Sequence, residues 1–168
     1  MKKFSSLVVM SLTIFFCMVG VGRADQHDRL LPLLGNLAGW QAPSASGTSL
    51  ASSQMKMVSA TRIYSRADKS LAVNIMINSG PVLDTDLQES SSDNELIWGK
   101  VRQIDGFWVK SSYNKKSNSG GLIVYLDYNK EASGLLMVDY SKMSDEEVLQ
   151  IIKKLDWKKL KKVVSTLL

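Results

Sequence analysis

The stretch from Gly134 to Leu160, GLLMVDYSKMSDEEVLQIIKKLDWKKL, constrains the fold of this chain more than any other. Leu135 to Val138 is an unbroken apolar run extended by Tyr140, which predicts a strand at the centre of a sheet with both faces covered. A polar turn follows, and Ser144 to Glu147 has the form of a capping box. In it the serine hydroxyl accepts from the glutamate backbone and the glutamate side chain reaches back. Val148, Ile151, Ile152 and Leu155 then recur at helical spacing as one apolar stripe. Asp156 offers a second cap, after which Trp157, Leu160, Val163, Val164 and Leu167 point inward and Lys158, Lys159, Lys161 and Lys162 outward.

Upstream the period changes from helical to two. Met57, Ser59, Thr61 and Ile63 alternate with Val58, Ala60, Arg62 and Tyr64. A turn, SRAD, leads into Leu71, Val73, Ile75 and Ile77 on one face, so the pair reads as an antiparallel hairpin. Ile97 to Ile104, Gly106 to Tyr113 and Leu122 to Tyr128 supply three more candidates, the last two joined by NKKSNSGG. The expected fold class is α+β: an antiparallel sheet of about five or six strands with a C-terminal amphipathic helix packed on one face.

The N-terminus is a targeting segment by layout. Lys2 and Lys3 precede the apolar run Leu7 to Val21, and Gly22 and Ala24 fit a cleavage site before Asp25, as in a secretory signal peptide. Export to the periplasm or the exterior is expected. Removing residues 1–24 takes Lys2, Lys3 and Arg23 and no acid, so 21 basic residues against 16 acidic become 18 against 16. That near balance excludes the footprint of a nucleic-acid binder. Cys17, the only cysteine, leaves as well, so no disulfide staples the mature chain. Residues 25–55 read as a short leucine-rich helix followed by a flexible Ser/Gly/Ala connector, and residues 56–168 as the α+β body of one domain.

Few residues carry chemistry. Asp84, Asp86 and Glu89 open an acidic segment that resembles the start of a calcium loop. The later ligand and the glycine of the tight turn are missing, so a solvated loop or short helix is expected there. His27, the one histidine, would serve a Ser-His-Asp site only if the N-terminus folded back on the body. There is no Gly-x-Ser-x-Gly elbow and no Cys/His cluster, and no cofactor motif is present. Two groups suit surface recognition: the aromatics Trp98, Trp108, Tyr113 and Tyr125, and the lysines Lys158, Lys159, Lys161 and Lys162. The lysine face reads first as a solvated helix face and second as a membrane-surface patch.

Leu37-Ala-Gly-Trp40, the turn Tyr64-Ser-Arg-Ala-Asp68, Gly106-Phe107 and Leu155-Asp-Trp-Lys-Lys-Leu160 together resemble a group of small exported proteins of Gram-negative bacteria. The acidic segment at residues 80–97 departs from that group's pattern, which is more apolar there. The resemblance implies an antiparallel α/β sandwich of the PsbP/Mog1 type and brings no catalytic residues. The expected function is that of a non-enzymatic periplasmic binding or accessory protein acting through a protein or envelope partner. A carboxylate-dependent hydrolase and a peripheral membrane protein using the lysine face are the alternatives.

Overall fold

A computed structural model describes residues 25–52, 56–79, 87–129 and 131–168. The expected signal peptide, with Cys17, and the acids Asp84 and Asp86 lie outside the described residues. Among the described residues, eight strands form one antiparallel sheet: β1 (Ser46–Ala51), β2 (Lys56–Arg66), β3 (Lys69–Ser79), β4 (Ser90–Asp93), β5 (Ile97–Ile104), β6 (Phe107–Asn114), β7 (Ser119–Tyr128) and β8 (Ala132–Ser141). Their spatial order is β1-β2-β3-β8-β7-β6-β5-β4. Two meanders thus lie side by side, and the last strand of the second closes on the last strand of the first. Two helices follow, α1 (Asp145–Ile152) and α2 (Trp157–Ser165).

This architecture corrects the expectation of five or six strands and one helix. The two strands that sequence alone misses are both at the edges. β1 falls in the Ser/Gly/Ala tract read as a connector, and β4 (SSSD) falls in the segment read as an acidic loop. An edge strand needs only one ladder and packs little side-chain surface, so neither carries apolar alternation. The second helix is separate because Asp156 accepts from Lys159 N at 3.0 Å and starts a new helix after the turn at Lys153–Leu155. Trp157 Nε1 donates to Ile152 O at 2.9 Å and pins the corner.

The hydrophobic core lies on one face of the sheet. Val58, Ala60 and Tyr64 of β2 stand in register with Ile77, Ile75 and Leu71 of β3, and these continue through Leu136, Val138 and Tyr140 of β8 to Val124 and Leu122 of β7. Ile152, Leu160 and Val164 of the helices pack against this layer, as do Leu30, Leu34 and Leu37 of the N-terminal segment. At about 25 cal/mol per Å² of apolar surface, each of the valine, leucine and isoleucine side chains among them stabilises the fold by roughly 2 kcal/mol. β8 is central as its composition predicts, but among the described residues it is covered on one face only: Leu135 and Met137, on the other face, remain half-buried. An apolar run therefore marks a central strand here without marking a second layer.

The capping box is also half formed. Ser144 Oγ accepts from Glu147 N at 3.2 Å, whereas the Glu147 carboxylate turns outward to Lys69 Nζ, at 2.7 and 2.9 Å, and to Arg66 at 3.2 Å. Two cations meet the carboxylate there, whereas the backbone amide would offer one uncharged donor. The exchange ties the start of α1 to the β2–β3 turn.

Candidate functional site: a trough on the uncovered sheet face

Both helices and the N-terminal turns pack on the same face, so the opposite face carries no described helix. Its side chains follow from the register. Ser92 pairs with Gly99, Gly99 with Ser112, Ser112 with Gly121 and Gly121 with Asp139. Cross-strand partners share a face, so this row of small residues runs transversely across β4, β5, β6 and β7 and ends at Asp139 on β8. With strands about 4.8 Å apart, the floor is about 14 Å long. The next row, Val101, Lys110, Ile123 and Met137, forms one wall, and beyond it stand Trp108, Tyr125, Leu135 and Met76. Two cavities, of about 600 Å³ between β4 and β6 and about 220 Å³ between β6 and β8, open over this floor and share Lys110 and Ser112.

The glycines separate into two kinds. A Cβ on Gly134 would collide with Val164, and one on Gly120 with the Tyr140 ring and with Ser112 O at 2.5 Å. Those two glycines exist for the fold, because helix and ring lie directly over the backbone. Gly121 is different: a Cβ there would meet Asp139 Oδ1 at 3.5 Å, Ser112 Oγ at 3.8 Å and Val138 O at 3.9 Å, which is ordinary contact. Its φ is not positive either. Internal packing leaves room for a side chain at Gly121, and a strand is stabler with one. A strand glycine of this kind marks a place where another molecule approaches the backbone closely.

The aromatics divide between the faces. Trp108 and Tyr125 are cross-strand partners on the trough side, Tyr125 buried edge-on against Tyr128 and Trp108 half-buried. Trp98 and Tyr113 lie on the helix side, where the rings of Trp98, Tyr113 and Tyr140 follow one another at 6.0 and 6.4 Å. Beside this stack is a buried polar cluster. Arg102 Nη2 meets Asp145 Oδ2 at 3.0 Å, and Ser111 Oγ and Tyr140 OH are buried nearby. Burial pushes the Asp145 carboxyl above the ordinary aspartate range and Arg102 opposes the shift; burial, with Asp145 beside it, raises the Tyr140 phenol further. The cluster joins the first residue of α1 to β5 and β6, and neither of the two trough cavities is lined by Asp145 or Arg102.

The N-terminus does fold back, and His27 Nδ1 lies 3.0 Å from Ser49 Oγ, with Asp28 Oδ1 3.5 Å from Nε2. Ser49 Oγ also accepts the His27 backbone N–H at 3.3 Å, and Asp28 is half exposed. A loosely held, hydrated carboxylate orients an imidazole weakly, so the contact works as a tether of the N-terminal turn onto β1. Glu89 is exposed at the outer rim of the trough beside β4, and Asp139 stands on β8, four strand spacings or about 19 Å away, too far apart for a carboxylate pair. Among the described residues, no three His, Cys, Asp or Glu side chains converge to hold a metal. Lys158, Lys159, Lys161 and Lys162 are all exposed on α2.

No protein-family model, curated protein or solved structure matches this chain.

Proposed function

We propose that this is an exported, non-enzymatic binding protein that receives an extended segment of a protein or envelope partner in the trough of its uncovered sheet face. The observation that carries the reading is Gly121, which lies in a strand interior and at which the fold itself would accept a side chain. A floor of Gly and Ser lets a partner's backbone or chain lie close to the sheet. Ile123 and Met137 offer apolar contact, methionine adapting its shape, and Ser112 and Asp139 offer polar anchors. Export rests on the leader layout of residues 1–24.

The test places a photoreactive amino acid at Lys110, on the rim shared by both cavities, and at Asp68, on the exposed β2–β3 turn, as control. Irradiation in intact cells should give an adduct from position 110 that is absent from position 68 and is lost when Gly121→Val fills the trough. An adduct unchanged by Gly121→Val would remove the trough from the function. Turnover of a generic ester, phosphate or glycoside that follows the folded protein through purification would replace binding with catalysis.

A further inference from the structure

The sheet ends in two edge strands, β1 and β4, and the chain treats them differently. An edge strand offers unpaired N–H and C=O groups to any strand beside it, and proteins guard such edges with charge, proline, bulges or brevity. β4 is guarded. It is four residues long, Asp93 stands in it, and the exposed acids Glu89 and Glu95 flank it. β1 has none of these devices. It is six residues long, contains neither charge nor proline, and its ladder to β2 runs from Ser46↔Thr61 to Ala51↔Lys56 without a register shift. No charged residue occurs between Arg29 and Lys56, and the β2 partners of Ser46 to Leu50 are uncharged as well. Among the described residues, β1 makes backbone hydrogen bonds to β2 alone.

We propose that the β1 edge pairs with the β1 edge of a second copy of this chain, antiparallel across a two-fold axis perpendicular to the sheet. Charge selects the occupant. In a pair of identical strands the side chains near the axis meet their own copies, so any charge there opposes a like charge and destabilises the contact. β4 could close on itself only by bringing Asp93 and its flanking acids toward their own copies, whereas β1 meets no such cost.

The register follows from the faces. Cross-strand partners share a face, so the axis passes through a residue, and the two central residues of β1 are Thr48 and Ser49. Ser49 Oγ is already held by His27, accepting its backbone N–H at 3.3 Å and lying 3.0 Å from Nδ1, while Thr48 is exposed. Thr48 therefore sits on the axis against its own copy. Ser46 then stands opposite Leu50 of the second chain, which covers a leucine that is 53% exposed in the single chain, and Gly47 stands opposite Ser49. Six residues a side make a short contact, so the dimer is weak and depends on concentration.

The experiment uses the full chain carrying Cys17→Ser, which leaves it without cysteine, and adds one cysteine at a time. Directly paired residues have Cα atoms about 4.5–5.5 Å apart, within reach of a disulfide, so Thr48→Cys should give a covalent dimer on mild oxidation. Ser91→Cys, also exposed but on the β4 edge, should stay monomeric. Sedimentation equilibrium of wild type from micromolar to near-millimolar protein should show monomer and dimer exchanging. Thr48→Lys with Leu50→Lys opposes like charges on the axis and on the two diagonals beside it, and should raise the dissociation constant on the order of tenfold or more, less so as salt is added. Thr48→Val adds no charge and should dimerise like wild type. Should the lysines disturb β1, the comparison of Thr48→Cys with Ser91→Cys decides alone. A wild type that is monomeric throughout, a lysine variant that dimerises as wild type does, or Ser91→Cys linking as readily as Thr48→Cys overturns the proposal. The trough reading stands or falls separately, because neither Lys110 nor Gly121 is altered.

Discussion

Gly121→Val is the perturbation that separates function from fold most sharply. A Cβ there would meet Asp139 Oδ1 at 3.5 Å and Ser112 Oγ at 3.8 Å, ordinary contact, so the first carbon of the new side chain displaces neither of these cross-strand neighbours. Removing the glycine restricts the unfolded chain, which stabilises by about 0.4–1 kcal/mol, and a β-branched side chain suits a strand. For a domain near 150 residues, 1 kcal/mol shifts Tm by about 3 °C, so Tm should stay level or rise by about 1–3 °C. Gly134→Ala provides the contrast. Its Cβ would collide with Val164 in the α2 interface, and overpacking of that kind costs about 1–3 kcal/mol, a fall of roughly 3–9 °C. The assay is thermal unfolding by circular dichroism together with the position-110 crosslink. The reasoning fails if Gly121→Val melts as low as Gly134→Ala, since the glycine would then be structural. It fails equally if Gly121→Val is stable and crosslinks like wild type.

Further predictions concern the framework. Ile152→Asp puts a carboxylate at a position with 0% exposure, and should remove the cooperative unfolding transition altogether. Arg102→Ala strips Asp145 of its only ion-pair partner among the described residues and should destabilise by about 3 kcal/mol, read from urea midpoints at neutral pH. Because the folded state holds the Asp145 proton more tightly than the unfolded chain does, stability from this group is fully present below the ordinary aspartate pKa. It is lost as pH rises through the elevated folded value. Asp145→Asn should therefore flatten the stability curve from about pH 4 upward, and a curve parallel to wild type would contradict the assignment. Ser49→Ala should cost about 1 kcal/mol by loosening the N-terminal turn, and wild type should not react with a fluorophosphonate; labelling at Ser49 would make the His27 contact catalytic.

The parts of this protein readable from its residues are those in which local pattern and burial coincide. Alternation marked β2, β3, β6 and β7, the apolar run marked β8, and helical spacing marked the buried side of α1. Ser144 and Asp156 announced the helix starts because an N-cap acts within its own turn. The two edge strands escaped because serine-rich segments gain strand structure from one neighbour's ladder and from no property of their own. The trough was invisible for a related reason. Gly99, Ser112 and Gly121 lie 13 and 9 residues apart in an order that suggests nothing, and only the register of β5, β6 and β7 sets them side by side. The same holds for the lysine face: its charge was plain in the sequence, but whether acids neutralise it depends on which side chains the fold brings within about 4 Å. Sequence by itself determined which residues alternate, cap and bury. Tertiary structure decided how many strands the sheet holds, which face stays uncovered and which charges remain unpaired, because each of these depends on neighbours distant in the chain.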